Sequence, residues 1–289
     1  MIIYTDLHSR TKNYSLPQDV INCIEDKYDV TITTRVHPKA EIYWGDKLSN
    51  SNLRRMRNIK WIHLSKTGFG KFNLPVNVTV TNTPESSDGV AEYAVAGILY
   101  LLRGIDRMTL DRGSFDKNIS NIVPFLEVKC LIVGHGRIGR MVNRLLTAIG
   151  MQVDFVTRGT DKKVDYSKYT FVVNALPLND ETINYFDSKI FGSMNKNSYI
   201  VNIGRGETMN EKHLYTALQE GKIRGAFLDV VQNEPIGKDN KLLQLDNVFI
   251  SPHIANAMYN SIDTQVKAFT DNLQLYKDKE ELKNIIWSK

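Results

Sequence analysis

The stretch 129-KCLIVGHGRIG-139 decides the fold. Cys130 to Val133 is an apolar run of strand length. Glycines follow at 134, 136 and 139. Ile138, Met141, Val142, Leu145, Leu146 and Ile149 then recur at the spacing of one helix face. In a strand that turns through G-x-G-x-x-G into a helix, each glycine has a physical use. The first permits the tight turn, the second lets a ligand approach the backbone, and the third lets helix pack closely on strand. Free N–H groups at the helix start then face an anion. The pattern points to a dinucleotide whose pyrophosphate rests on Gly134, Gly136, Ile138 and Gly139, with Arg137 placed to touch it. His135 reads as solvent-facing. A structural glycine turn is the competing reading, and the strand–turn–helix context weighs against it.

Working outward toward the C-terminus, the chain alternates further strands with helices. VDFV, FVVNALP and SYIVNIGRG read as strands and their loops. A helix near 211–220 follows, with Asn210 as its N-cap and Gly221 as its stop, and then GAFLDV and VFISPH. The tail after Ser261 reads as an amphipathic helix. Toward the N-terminus a separate series appears: IIY, a helix near 17–27, EIYW, a helix near 50–57, WIHLS and VTVTN. A long apolar helix over Asp88–Met108 and the polar stretch DRGSFDKNISN separate the two series. The expected class is α/β with two parallel-sheet domains.

At 289 residues there is room for two modest domains. The net charge of +5 is interleaved with acids, as in KDKEELK, so it marks a solvated face and argues against a nucleic-acid patch. Cys23 and Cys130 are too few for a disulfide framework, and Cys130 sits in an apolar run as a buried thiol. MIIYTDLHSR carries no signal-peptide pattern, and AVAGILYLL falls short of a membrane span. The expected location is the cytoplasm, with no membrane partner. No metal site is assigned.

The second strand of a dinucleotide domain usually ends in an acid that accepts from the ribose hydroxyls. Here 153-VDFVTRGT-160 ends its apolar run at Thr157-Arg158. Asp154 lies 20 residues after Gly134, which meets the spacing rule, but at the start of the strand. A hydroxyl followed by a guanidinium suits a 2′-phosphate, because arginine offers a planar fork of donors. An ordinary surface arginine is the alternative.

Three polar residues stand at later strand ends: Arg205 in VNIGRGE, Glu234 in DVVQNEP and His253 in SPHIA. Carboxyl ends of parallel strands form the ligand crevice of open α/β sheets. Arginine binds a carboxylate and polarises a carbonyl, histidine moves a proton near neutral pH, and a paired glutamate fixes the imidazole tautomer. Each also has an ordinary structural reading, and spacing alone does not choose between them.

With these residues in place, the chain resembles the D-isomer-specific 2-hydroxyacid dehydrogenases. That family includes D-lactate and 3-phosphoglycerate dehydrogenases and glyoxylate/hydroxypyruvate reductases. NTPESSDGVAEYA, VGHGRIGRMV, ALPLNDET, VNIGRGE, GAFLDVVQNEP and SPHIA carry the resemblance, in family order, from about Trp61 onward. It implies a Rossmann-type doubly wound sheet, residues 88–262, inserted in a flavodoxin-like substrate domain of 1–87 plus 263–289. A homodimer is implied as well. Arg205 would bind the substrate carboxylate and carbonyl, His253 would be the acid/base, and Glu234 would hold His253 and favour its protonated form. Asp229 would contact the nicotinamide carboxamide, with Leu176, Pro177, Thr182 and Ile203 completing the cofactor set. Ser65, Lys66, Thr67, Gly68 and Phe69 would lend backbone N–H groups to the substrate carboxylate.

Three departures bear on specificity. The family's Ala-Gly-Val-Asp is Thr67-Gly68-Phe69-Gly70 here, the segment before the glycine motif is shortened, and the ribose acid's place is Thr157. That register removes Asp154 as ribose ligand, and relatives with a small or hydroxyl residue before arginine tend to use NADP. The expectation is an NAD(P)H-dependent oxidoreductase interconverting a small 2-ketoacid and a D-2-hydroxyacid, with NADP preferred over NAD. The alternatives are an NAD-linked dehydrogenase and a non-catalytic dinucleotide-binding regulator on the same fold.

Overall fold

The computed structural model describes residues 1–7, 16–65, 72–83, 86–105, 124–157, 164–256 and 261–288. The chain forms two compact units, Met1–Ser86 with Ala257–Lys289, and Ser87–Asn256.

The first unit is built on β1 (Ile2–Thr5), β2 (Thr31–Thr33), β3 (Ile42–Gly45), β4 (Trp61–Leu64), β5 (Thr79–Asn82) and β12 (Ile285–Ser288). Their order is β2-β1-β3-β4-β5-β12. The first five are parallel in the flavodoxin order, and β12 is antiparallel to β5 at the edge. β3 and β4 are buried along their whole length, as parallel strands covered on both faces are. Helices α1 (Gln18–Tyr28) and α2 (Asn50–Arg55) lie between the strands in sequence, and α7 (Ser261–Asp278) returns from the far end of the chain. Phe269 of α7 stacks on Trp44 at 4.1 Å and on Trp61 at 5.3 Å between ring centroids, and Leu273 joins the same core. That packing ties all of α7 to this unit, so the chain re-enters it at Ala257, ahead of the expected 263.

The second unit orders β7 (Gln152–Val156), β6 (Lys129–Val133), β8 (Phe171–Asn174), β9 (Tyr199–Asn202), β10 (Gly225–Leu228) and β11 (Val248–Ile250) side by side. All pairs are parallel. Helices α3 (Ser86–Leu102) and α4 (Arg137–Ala148) pack Ile98, Val142 and Leu146 against Ile132 and Val173. Helices α5 (Ser188–Ser193) and α6 (Glu211–Gln219) pack Phe191, Leu214 and Ala217 against Leu131, Val172 and Ile200. Alternate residues of one strand thus serve two cores, which defines a doubly wound sheet. The strand order reverses between β6 and β8, the position at which open α/β sheets bind their ligands.

Some elements differ from expectation. The helix expected over Asp88–Met108 ends at Leu102, because Gly104 takes φ 65° and its N–H closes onto Leu101 O. Residues 106–108 lie outside the described residues. β2, α5 and β12 were not anticipated: each is six residues or fewer, too short for a periodic signal. Among the described residues no helix is long and apolar enough to cross a membrane.

Candidate active site

The glycine turn sits at the β6/β8 reversal. Gly134 has φ 110°, and a Cβ there would lie 2.7 Å from Ala175 O. Side chains are therefore excluded both by backbone conformation and by the neighbouring strand. A Cβ on Gly139 would lie 2.0 Å from Gly134 O, so the helix is seated directly on the turn. Gly136 faces open space within 4 Å, and no side chain caps α4. The amides that begin α4, from Arg137, Ile138 and Gly139, thus form an anion site with room above it. This geometry fits a dinucleotide pyrophosphate. Arg137 Nη2 lies 3.8 Å from Asp88 Oδ1, a loose pairing near the same turn.

Gly134 N–H donates to Val156 O at 3.1 Å, which puts exposed Thr157 beside the glycine turn. Asp154 is two residues back, on β7, and accepts from Tyr169 OH at 3.0 Å. Burial, and then this bond, push the Tyr169 hydroxyl up to about 12. Arg158 lies outside the described residues.

After β8, Leu176 N–H donates to Asn174 Oδ1 at 3.1 Å. Thr182 is buried. Its hydroxyl donates to Pro177 O at 2.7 Å and accepts from Asn179 N–H at 2.9 Å. Thr182, placed in the cofactor set by the resemblance, uses its hydroxyl to shape the turn that follows Leu176 and Pro177. Ile203 is 4% exposed, with its N–H on Asn174 O, and belongs to the core under the crevice.

Arg205 leaves β9 on a loop fastened by a buried network that the sequence reading missed. Asn174 Nδ2 donates to Asn202 Oδ1 at 2.9 Å and to Thr208 Oγ1 at 2.7 Å, and Thr208 Oγ1 donates to Arg205 O at 2.6 Å. Asparagine at the tip of two adjacent buried strands was the available signal. Arg205 Nη1 donates to Gly204 O at 2.7 Å. Next to it, a Cβ on Gly206 would fall 1.9 Å from Val231 O, so the Arg205 loop lies directly against the segment leading to Glu234.

His253 and Glu234 meet. His253 Nδ1 lies 2.8 Å from Glu234 Oε2, and both side chains are about a third exposed, at 36%. A carboxylate only accepts, so Nδ1 carries the hydrogen and Nε2 is left to exchange a proton. Glu234 Oε1 also accepts from Val231 N–H at 3.3 Å. His253 takes φ 54°, unusual for a non-glycine residue. Asp229, 2% exposed, compensates. Its carboxylate accepts from Ser251 Oγ at 2.8 Å, Ile254 N–H at 2.8 Å and Ala255 N–H at 2.9 Å, and its carbonyl from His253 N–H at 2.9 Å. Asp229, expected to hold a carboxamide, thus spends three acceptor positions fastening the turn that aims His253.

In the first unit, Ser65 N–H donates to Gly45 O at 2.9 Å, extending the β3–β4 ladder. That N–H is not available to a substrate, which corrects the expectation for this residue. The Ser65 hydroxyl is buried and has no hydrogen-bond partner among the described residues. Lys66, Thr67, Gly68 and Phe69 lie outside the described residues.

The family model for the D-isomer specific 2-hydroxyacid dehydrogenase NAD binding domain matches residues 95–255. D-3-phosphoglycerate dehydrogenase of Methanocaldococcus jannaschii is 32% identical over 72% of this chain, which spans only 44% of that protein's length. Glyoxylate/hydroxypyruvate reductase B of Klebsiella pneumoniae is 28% identical over 90% of this chain and 92% of its own. Among solved structures, a probable 2-hydroxyacid dehydrogenase from Rhizobium etli in complex with NADP superposes with TM-score 0.79 at 22% identity, covering 99% of this chain and 97% of that one. NADPH-dependent glyoxylate/hydroxypyruvate reductase from Sinorhizobium meliloti gives 0.82 at 18% identity, over 99% and 98%. At such identities the structures establish the fold, and the family model with the glycine turn establishes NAD(P) binding. The chain belongs to the D-isomer-specific 2-hydroxyacid dehydrogenase family, NAD(P)-dependent oxidoreductases that interconvert 2-ketoacids and D-2-hydroxyacids.

Proposed function

We propose that this chain is an NADPH-preferring reductase that turns a small 2-ketoacid into a D-2-hydroxyacid, working in the cytoplasm as a homodimer. The observation that carries this reading is the His253–Glu234 pair at 2.8 Å, which leaves His253 Nε2 as the proton-exchanging atom. When bound, the reduced nicotinamide supplies the hydride. His253 Nε2 gives its proton to the developing alkoxide oxygen, while Glu234 keeps the other nitrogen protonated and the ring aimed. Arg205 pairs with the substrate carboxylate and polarises the adjacent carbonyl. We assign the backbone N–H groups of Lys66 to Phe69 to that carboxylate as well. Asp229 and the Asn174–Asn202–Thr208 network keep His253 and Arg205 in place, so alignment is built in before substrate arrives.

NADP preference rests on the tip of β7. Thr157 stands beside the glycine turn where an acid would repel a 2′-phosphate, and Arg158 follows directly. Proteins of this fold have been solved with NADP, as from R. etli and S. meliloti, and with NAD, as from Lactobacillus delbrueckii, so the choice is carried by Thr157 and Arg158. Steady-state kinetics of Arg158→Ala check it: KM for NADPH should rise about tenfold or more while that for NADH stays within about twofold. An equal effect on both would remove Arg158 from 2′-phosphate recognition. Glyoxylate and hydroxypyruvate, the substrates in the relatives' names, are the first ketoacids to assay.

A further inference from the structure

His135 belongs to the glycine turn, and no step above uses it. Its ring packs on Phe155 with centroids 4.3 Å apart and planes at 53°. Its carbonyl accepts from Arg140 Nη1 at 3.1 Å, in the first turn of α4. The residue is exposed, and its ring nitrogens have no hydrogen-bond partner among the described residues. Holding a surface side chain costs conformational entropy. Here ring and peptide are both held, while the polar edge of the ring is left without a partner.

The strands determine what that edge lies beside. β6 pairs Val133 with Val156, so the turn leaving β6 runs alongside Thr157. Side chains alternate across a strand, which puts Val153, Phe155 and Thr157 on one face of β7 and Asp154 and Val156 on the other. The two cores agree with this division. Val153 and Phe155 pack against the core of Val142 and Leu146, and Val156 belongs to that of Leu131 and Val172. Packed on Phe155, the imidazole shares a face with Thr157, where the second strand of a dinucleotide domain meets the ribose 2′ oxygen.

The charges around the turn leave this face open to an anion. Asp154, the one carboxylate of β7, points away and accepts from Tyr169 OH. On α4, Arg140 reaches back to His135 O, and Arg137 lies 3.8 Å from Asp88 of α3. A neutral imidazole donates from one nitrogen, and a protonated one adds its charge to the bond.

We propose that His135 is a specificity residue, which donates to the 2′-phosphate of NADP beside Thr157 and ties the choice of cofactor to pH. This role rests on the NADPH preference assigned to Thr157 and Arg158 above.

The test is fluorescence titration with NADPH and with NADH, at about pH 6.5 and 8.5, which spans the change of imidazole charge. His135→Leu keeps an apolar contact for Phe155 without a donor, and His135→Gln keeps a donor without a charge. The 2′-phosphate titrates in every protein alike, so its effect cancels when each variant is divided by the wild type at the same pH. His135→Leu should weaken NADPH about tenfold at the lower pH and about threefold at the higher, with NADH within about twofold at both. His135→Gln should match the wild type within about twofold at the higher pH and fall about threefold below it at the lower. Equal losses for the two cofactors, no loss for either, or the same NADPH loss at both pH values would each overturn the proposal. A wild type that binds NADH more tightly than NADPH would instead sink the NADPH preference. A pH-dependent loss of NADPH alone in His135→Leu would then still uphold the contact, and its absence would refute it.

Discussion

His253 illustrates how much chemistry a single residue's surroundings decide. A free histidine side chain can carry its proton on either of its two distinct ring nitrogens. Glu234 Oε2, 2.8 Å away, accepts from Nδ1–H, and His253 holds its backbone in the left-handed region at φ 54°. His253→Ala should abolish ketoacid turnover, by about a thousandfold or more, while leaving NADPH binding nearly intact. Fluorescence titration and steady-state rates on one preparation check both halves. Glu234→Gln should lose about a hundredfold in kcat, because the neutral amide no longer stabilises the imidazolium, with ketoacid KM little changed. These residues were legible in the sequence as strand-end polar groups. The part played by Asp229 was not, because its three loop donors are backbone and serine groups more than twenty residues away. For Ser65 the misreading has the same origin: strand pairing with Gly45 consumes an N–H that the sequence leaves open.

Elements were legible where periodicity was long. β6, α4 and the glycine turn were readable because an apolar run, three glycines and a helical stripe agree within twenty residues. β12 was not, because four residues of edge strand in IIWS carry no pattern of their own and are defined by pairing with β5. Between elements, loop seating matters as much as element type. Gly206 sits where a Cβ would fall 1.9 Å from Val231 O. Gly206→Ala should force the Arg205 loop off the Val231–Glu234 segment, lowering stability by about 2 kcal/mol and kcat/KM about a hundredfold. Urea denaturation with paired kinetics checks this. Wild-type activity would show that the two loops need not touch.

At the scale of the whole molecule, acid sensitivity follows from His63. Its folded pKa is depressed to about 3 from an ordinary 6.5 by burial. Between those values the unfolded chain binds a proton that the folded chain does not. This contribution is therefore intact above pH 6.5 and lost as pH falls toward 3, at up to about 1.4 kcal/mol per pH unit. Urea midpoints between about pH 6.5 and 5, above most carboxylate titration, should fall with acid in the wild type and less steeply in His63→Gln. Equal slopes would place the acid sensitivity elsewhere. The two-unit architecture was readable from the paired strand–helix series, whereas the return point at Ala257 depends on Phe269 and Leu273 packing on the first sheet, a tertiary fact.

The most direct measurement follows the hydrogen itself. The purified protein is incubated with NADPH deuterated at nicotinamide C4 and a 2-ketoacid such as hydroxypyruvate, and the product is separated by chiral chromatography and weighed by mass spectrometry. The expected product is a D-2-hydroxyacid carrying deuterium at C2, formed by the wild type and not by His253→Ala. An L product, a D product without deuterium, or equal labelling by the variant would contradict it.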